Sequence, residues 1–215
     1  MNIIIINSGV SHRTKSFGPV CLFSITPRKT LIERQIDIFN SLMPRAKIDT
    51  IVGFKSKRIR KHLENININI LENPDFEYTN DLYSLGLLLD NIKDKLLIVP
   101  GNIVFKKNLF RDFDKKKSQI WINKYQVSEL GCTITNNKIE NIMWSLTNYL
   151  SGLYFLTGAE LDSFKEICKD PKTHKWFIFE GINHIIKNGG KIMPNYTKSI
   201  TYHINNILEL NNVKI

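Results

Sequence analysis

The chain has 215 residues, 42% of them hydrophobic and 23% charged, and a formal net charge of +10. Such a composition is that of an ordinary globular domain with a sizeable core, and no apolar run reaches the ~20 residues that a membrane span needs. The basic balance suits anionic partners: nucleotides, nucleic acid or an acidic protein surface.

In chain order, "MNIIIIN" reads as a buried first strand, because it has no basic segment before its isoleucines. A polar loop follows from Ser8 to about Gly18. In "TLIERQIDIFNSLM" the apolar residues Leu31, Ile32, Ile36, Phe39 and Leu42 recur at helical spacing. "AKIDTIVGF" is a second strand, "SKRIRKHLEN" a short helix, and the strict alternation of "INININILEN" a half-buried third strand. "TNDLYSLGLLLDNI" is helical, with Thr79 or Asn80 as N-cap, and "KLLIVPG" is a fourth strand. This regular exchange of strand and helix predicts an α/β fold: a mostly parallel twisted sheet with helices on both faces.

The second half is less regular. "SQIWINKY" and "ELGCTITNNKIENIMWSL" read as strands, the latter turning at Asn136-Asn137. "GAELDSFKEICKD" and "KWFIFEGINHIIKNGG" read as helices, the second closed by Gly189-Gly190. "KSITYHINNILEL" ends the chain as a strand and a short helix. No repeat or linker interrupts the pattern, so one domain over 1–215 is expected.

Several features bear on chemistry. The three cysteines, Cys21, Cys132 and Cys168, lack metal-ligand spacing and read as reduced thiols of a cytoplasmic protein. The densest basic runs, "KSKRIRKH" and "DKKKS", read as solvated faces of a helix and a loop, with nucleic-acid binding as the alternative. The loop "NSGVSHRTKSFGP" follows the first strand and carries Gly9, Gly18, Arg13 and Lys15, suited to phosphate without matching a P-loop or dinucleotide fingerprint. "VGF", "ENPDFEYTNDLYSL" and "VPGN" should all lie at the carboxyl edge of the sheet and assemble one cleft there. His184 and His203 read as structural, and no nucleophile-base grouping is legible.

The order of these segments resembles the sugar-nucleotide and phosphocholine type nucleotidyltransferases of GT-A-like fold. "NSGVSHR" sits where that family has its glycine-rich nucleotide loop, "TLIERQIDIF", "IVGF" and "TNDLYSL" follow in the family's order, and "LLIVPGNIVF" and "TYHINNILEL" stand where it places its two metal-binding aspartates. The resemblance implies transfer of NMP from CTP, UTP or another NTP to a phosphorylated acceptor, with Mg²⁺ bridging the phosphates. It implies a nucleotide-binding half at 1–115, with Asn7, Ser8, Gly9, Ser11, Arg13, Val20, Gly53, Asn80 and Gly101 at the nucleotide. The acceptor-side half is 116–215, with Ser84 of the first half and Glu180 at the acceptor side.

Three positions depart from the family pattern. Val20 stands for the lysine, Asn102 for the first aspartate and Asn205 for the second; Ser11 also replaces a loop glycine and His203 a glutamate, while Arg13 is kept. An amide offers Mg²⁺ a neutral oxygen where a carboxylate offers charge, each charge term being on the order of 4 kcal/mol at ~4 Å. The expectation is therefore an impaired or inactive enzyme that keeps its nucleotide cleft. The alternatives are an interaction protein that docks a protein or nucleic acid, and an active transferase with atypical ligands.

Overall fold

The computed structural model of the chain describes residues 1–10, 14–123 and 129–213. Strand β1 (Asn2–Asn7) carries four isoleucines in a row, so both of its faces are apolar. Ile4 and Ile6 enter one core layer, Ile3 and Ile5 the other. A strand buried on both faces belongs at the centre of a sheet covered by helices on each side.

The hairpin β2 (Ser24–Thr26) and β3 (Lys29–Thr30) leads into helix α1 (Leu31–Leu42). Thr30 and Glu33 form a capping box there: the Thr30 backbone N–H and hydroxyl both donate to Glu33 Oε2, at 2.7 and 2.8 Å. The predicted apolar stripe packs through Leu31, Ile32, Ile36 and Phe39, whereas Leu42 in the last turn is exposed. Strand β4 (Lys47–Val52) returns beside β1, and helix α2 (Ser56–His62) buries Ile59 while its basic side chains point outward.

Strand β5 (Asn69–Glu72) is shorter than the alternation in "INININILEN" predicts. Its pairing with β4 begins at Asn69 opposite Asp49, and before it the Ile68 N–H bonds to the Ile66 carbonyl. A local turn has taken those backbone groups from the ladder. Helix α3 (Asp81–Leu89) has Asn80 as its cap, whose side-chain oxygen accepts from the Asp81 N–H at 3.0 Å. Strand β6 (Lys95–Pro100) then pairs parallel with β1 on the side away from β4.

Beyond β6 come the short strand β7 (Ile103–Val104), β8 (Gln119–Asn123), and the ribbon β9 (Leu130–Thr135) and β10 (Lys138–Trp144). Asn136 and Asn137 both adopt positive φ at the turn between them, as a two-residue hairpin requires. Strand β11 (Tyr149–Thr157) runs antiparallel to β6, β8 and β9, and joins the two halves into one sheet. Helices α4 (Gly158–Lys169) and α5 (Ile178–Lys187) pack with α3 on one face, and α1 and α2 lie on the other. Strand β12 (Met193–Tyr196), which its composition does not announce, pairs with β8. The short strand β13 (Tyr202–His203) pairs with β7, and helix α6 (Ile207–Asn211) follows.

Among the described residues the principal sheet has nine strands, in the order β10-β9-β11-β6-β1-β4-β5 with β8 and β12 attached at β11. The parallel run β6-β1-β4-β5 directs its strand ends to one edge, where the loops that follow meet. An α/β sheet with helices on both faces is therefore the architecture.

Candidate functional site

The floor of the carboxyl edge is made of close backbone contacts. The Gly101 N–H donates to the Ile6 carbonyl at 2.8 Å, and a Cβ at Gly101 would fall 1.7 Å from Asn7 Oδ1. Only glycine lets the β6 turn approach β1 so closely. The Asn7 side chain is held in turn by Thr50, whose hydroxyl accepts from Asn7 Nδ2 at 3.0 Å and donates to the Ile5 carbonyl at 2.9 Å. Gly53 makes a second close approach: a Cβ there would lie 2.5 Å from the Ser8 carbonyl oxygen.

Behind that floor, Ser8 and Ser84 share a hydrogen bond of 2.9 Å, and Asn73 Nδ2 donates to Ser84 at 2.9 Å. This buried knot ties the loop after β1 to helix α3. The first turn of α3 is occupied by protein as well: the N–H groups of Asn80 and Leu82 donate to the carbonyls of His174 and Trp176, at 2.8 and 3.4 Å. These two bonds hold the start of α3 against the segment that leads into α5.

These elements enclose a first cavity of about 310 Å³. Asn7, Gly9, Val20, Asn80 and Gly101 line it, five of the residues that the resemblance puts at a nucleotide, together with Asn102. Ser8, Gly53 and Ser84 lie behind its wall, and Arg13 and Ser11 fall outside the described residues. The Glu180 carboxylate accepts from the Phe177 N–H at 2.8 Å and caps α5, and it lines neither cavity of the site.

A second cavity of about 460 Å³ lies beside the first. The pairing of β13 with β7 sets His203 opposite Ile103, and the Ile204 N–H donates to the Asn102 carbonyl at 2.8 Å. Asn205 is thereby carried to Asn102, and Asn102 Nδ2 donates to Asn205 Oδ1 at 3.1 Å. Two residues 103 apart in the chain thus meet. Asn102 lines the first cavity and Asn205 the second, so the amide pair forms part of the partition between them.

The walls of the second cavity differ from those of the first. Trp144, Tyr154 and Tyr202 supply aromatic surface, and Glu129 and Glu209 supply carboxylates. Glu209 also accepts from the Asn205 N–H at 2.5 Å, which fixes the entry to α6. Gly152, at φ +85°, lets His203 pack against β11; a Cβ there would meet His203 Cε1 at 2.9 Å. Burial lowers the His203 pKa against a smaller opposing pull from Glu209, and its Nε2 is buried with no hydrogen-bond partner among the described residues. At neutral pH this imidazole is uncharged.

Asp81 is the charged residue that the sequence reading passed over. It follows the cap of α3 and lines the first cavity, half-buried, with its carboxyl raised to about 6 by desolvation. No described cation or hydrogen-bond donor meets that carboxylate. Its charge, after desolvation, also helps to raise the buried Tyr154 phenol, which lines the second cavity. The signal for Asp81 lay in "TND", but nothing in local spacing marked Trp144, Tyr154 or Tyr202. Among the described residues the cavities together contain three carboxylates and no lysine or arginine. No three His, Cys, Asp or Glu side chains among the described residues gather into a potential metal cluster.

No protein-family model matches the chain, and no curated protein matches it by sequence. Solved structures do match it over nearly the whole length. The CTP:phosphocholine cytidylyltransferase of Streptococcus pneumoniae superposes with a TM-score of 0.84 at 17% identity, covering 98% of this chain and 96% of that one. The inositol-1-phosphate CTP transferase of T. maritima gives 0.78 at 14% identity, with 97% and 90% covered. A nucleoside-diphosphate-sugar pyrophosphorylase from Vibrio cholerae gives 0.75 at 15% identity, with 99% and 98% covered. The chain has the nucleotidyltransferase-like fold.

Proposed function

We propose that the chain binds a nucleotide in the first cavity and a small acceptor-like group in the second, and that its capacity for nucleotidyl transfer is impaired or lost. The observation that carries this reading is the Asn102–Asn205 hydrogen bond of 3.1 Å. In the family that the sequence resembles, those two positions hold Mg²⁺ with carboxylates. Here one amide already spends its N–H on the other amide's oxygen, and the remaining donors are neutral. Mg²⁺ prefers hard anionic oxygens and gives up water reluctantly, so this donor pair does not fit it. Val20, at the family's lysine position, adds no charge to offset phosphate.

The acceptor reading draws on the second cavity. Three aromatic side chains and two carboxylates suit a small organic cation, which is attracted to ring faces and to negative charge together. The neighbour from Streptococcus pneumoniae is a CTP:phosphocholine cytidylyltransferase, and such a headgroup meets that description. The halves 1–115 and 116–215 would then be the nucleotide and acceptor sides, with Asn205 reaching back from the second. The free, buried thiols of Cys21, Cys132 and Cys168 support a reducing compartment such as the cytoplasm.

Isothermal titration with CTP, UTP, GTP and ATP, each with and without Mg²⁺, tests the reading, beside pyrophosphate release with phosphocholine as acceptor. The expected result is nucleotide binding that changes little when Mg²⁺ is removed, and no pyrophosphate. Tight binding that strictly requires Mg²⁺, or turnover with any acceptor phosphate, overturns it.

A further inference from the structure

Helix α2 brings cations to the border of the first cavity from outside it. Gly18 lines that cavity, and a Cβ at Gly18 would fall 2.8 Å from Arg58 Nη1 and 3.6 Å from Arg58 Cζ. Gly18 has φ +111°, a conformation suited to glycine, and its bare backbone leaves room for the guanidinium to lie against it. Phe54 also lines the cavity, and Lys55 Nζ stands 5.3 Å from the centre of its ring. Arg58 and Lys61, three residues apart on one side of α2, both line a separate hollow of about 410 Å³ with Leu22, His62 and Glu64. Cys21 lines the first cavity and Leu22 the hollow, so the segment 18–22 borders both spaces.

Ion pairing on α2 sets these cations apart from their neighbours. Arg60 meets Glu72 at 3.5 Å, and His62 meets Glu33 at 3.5 Å. Lys55, Arg58 and Lys61 make no ion pair among the described residues, and the Arg58 side chain is exposed. A guanidinium presents a planar fork of N–H donors that matches two phosphate oxygens at once. Among the described residues the charged side chain in the cavity lining is Asp81, whose carboxylate repels phosphate. In that field the favourable place for phosphates is the Gly18 border, where the guanidinium faces the loop.

We infer that Arg58 binds the phosphate groups of the nucleotide from the border of the first cavity, with Lys61 beyond it where the chain of phosphates enters the hollow. Charge for the phosphates then comes from α2 and needs no metal ion. The inference rests on the nucleotide reading above and names the side chain that frees its binding from Mg²⁺.

The test is isothermal titration, in EDTA, of the full chain and of its Arg58→Gln and Arg58→Lys variants with CTP, UTP, GTP and ATP. Cytidine, uridine, guanosine and adenosine are then titrated by displacement of the tightest-bound triphosphate. Arg58→Gln should weaken that triphosphate at least about tenfold and leave its nucleoside within about twofold of the unaltered chain, because the lost bonds are charge-assisted bonds to phosphate. Arg58→Lys should recover part of the loss, since it keeps the charge without the fork. An unchanged urea midpoint for Arg58→Gln verifies that the fold is intact. Triphosphate binding that Arg58→Gln does not alter overturns this inference and leaves the nucleotide reading standing. An equal loss for triphosphate and nucleoside overturns the assignment of Arg58 to the phosphates. Absence of binding by any of the eight ligands to the unaltered chain overturns this inference and the nucleotide reading together.

Discussion

The two cavities are built in different ways from adjacent pieces of chain. The first is a product of backbone approach: Gly101 against Asn7, Gly53 against Ser8, and the serine pair beneath them. Its shape follows from the packing of β1, β4 and β6, and its lining is mostly small or apolar. The second is a product of side-chain tips, from the β9–β10 ribbon, from β11 and from the segment that ends in α6. Where a site is made of backbone, changing it disturbs the fold. Where it is made of side-chain ends, changing it disturbs the ligand and little else.

The largest expected effect tests the first half of that contrast. Gly101→Ala places a methyl group 1.7 Å from Asn7 Oδ1, which can swing away only by giving up the side chain's bond to Thr50, and 2.6 Å from the Ile6 carbonyl oxygen, which is backbone of β1. A loss of about 3 kcal/mol in stability is expected, as for overpacking of a rigid site. Urea denaturation should show a lower midpoint at unchanged slope. A neutral result would mean that the floor is softer than its contacts imply.

Asp81 sharpens the contrast, because it is a side chain held within the backbone-built cavity. Its carboxyl is raised from the ordinary value near 3.8 to about 6 in the folded protein. Between those pH values the folded state binds more protons than the unfolded state, so the favourable contribution is full below the unfolded value. It is lost as pH rises through the folded one. Asp81→Asn should therefore leave stability unchanged at pH 3 and raise it by about 2 kcal/mol at pH 7. Urea midpoints measured across that range check both the sign and the window. An advantage that is equal at both pH values would exclude desolvation of the carboxylate as its source.

A smaller effect is expected at the partition. The triple substitution Val20→Lys, Asn102→Asp and Asn205→Asp restores the charges that the sequence lacks, and Mg²⁺ affinity should rise at least about tenfold. Isothermal titration with MgCl₂ measures it. No gain would mean that the two positions are misaligned for a shared ion despite their 3.1 Å contact.

Trp144→Ala is the smallest expected perturbation of the fold. The indole is half exposed and meets Phe179 edge to face at 5.8 Å. Its removal should cost no more than about 1 kcal/mol, so any large loss of ligand affinity can be read as chemistry at the second cavity.

Much of the first cavity was legible in the chain. Strand ends in an alternating α/β pattern imply a shared edge, and "VPGN", "VGF" and "TNDLYSL" did converge there. The cap at Asn80, the stripe on α1 and the turn at Asn136-Asn137 are local devices, written within a few residues. The second cavity was not legible. Trp144, Tyr154, Tyr202 and Glu209 come from four separate elements and have no common spacing. The shortened β5 had the same origin, since its alternation describes which faces are apolar and not where a partner strand begins.

By itself the sequence determined the faces of each element: isoleucines on both sides of β1, the buried stripe of α1, and the residue types at the two positions where acids are expected. These follow from short-range periodicity, which each segment carries with it. Tertiary structure decided which faces meet. The β7–β13 pairing brought Asn205 to Asn102, and the antiparallel course of β11 set the aromatic cavity beside the glycine-built one. Strand pairing across a hundred residues depends on how all the elements pack at once, and no local pattern encodes it.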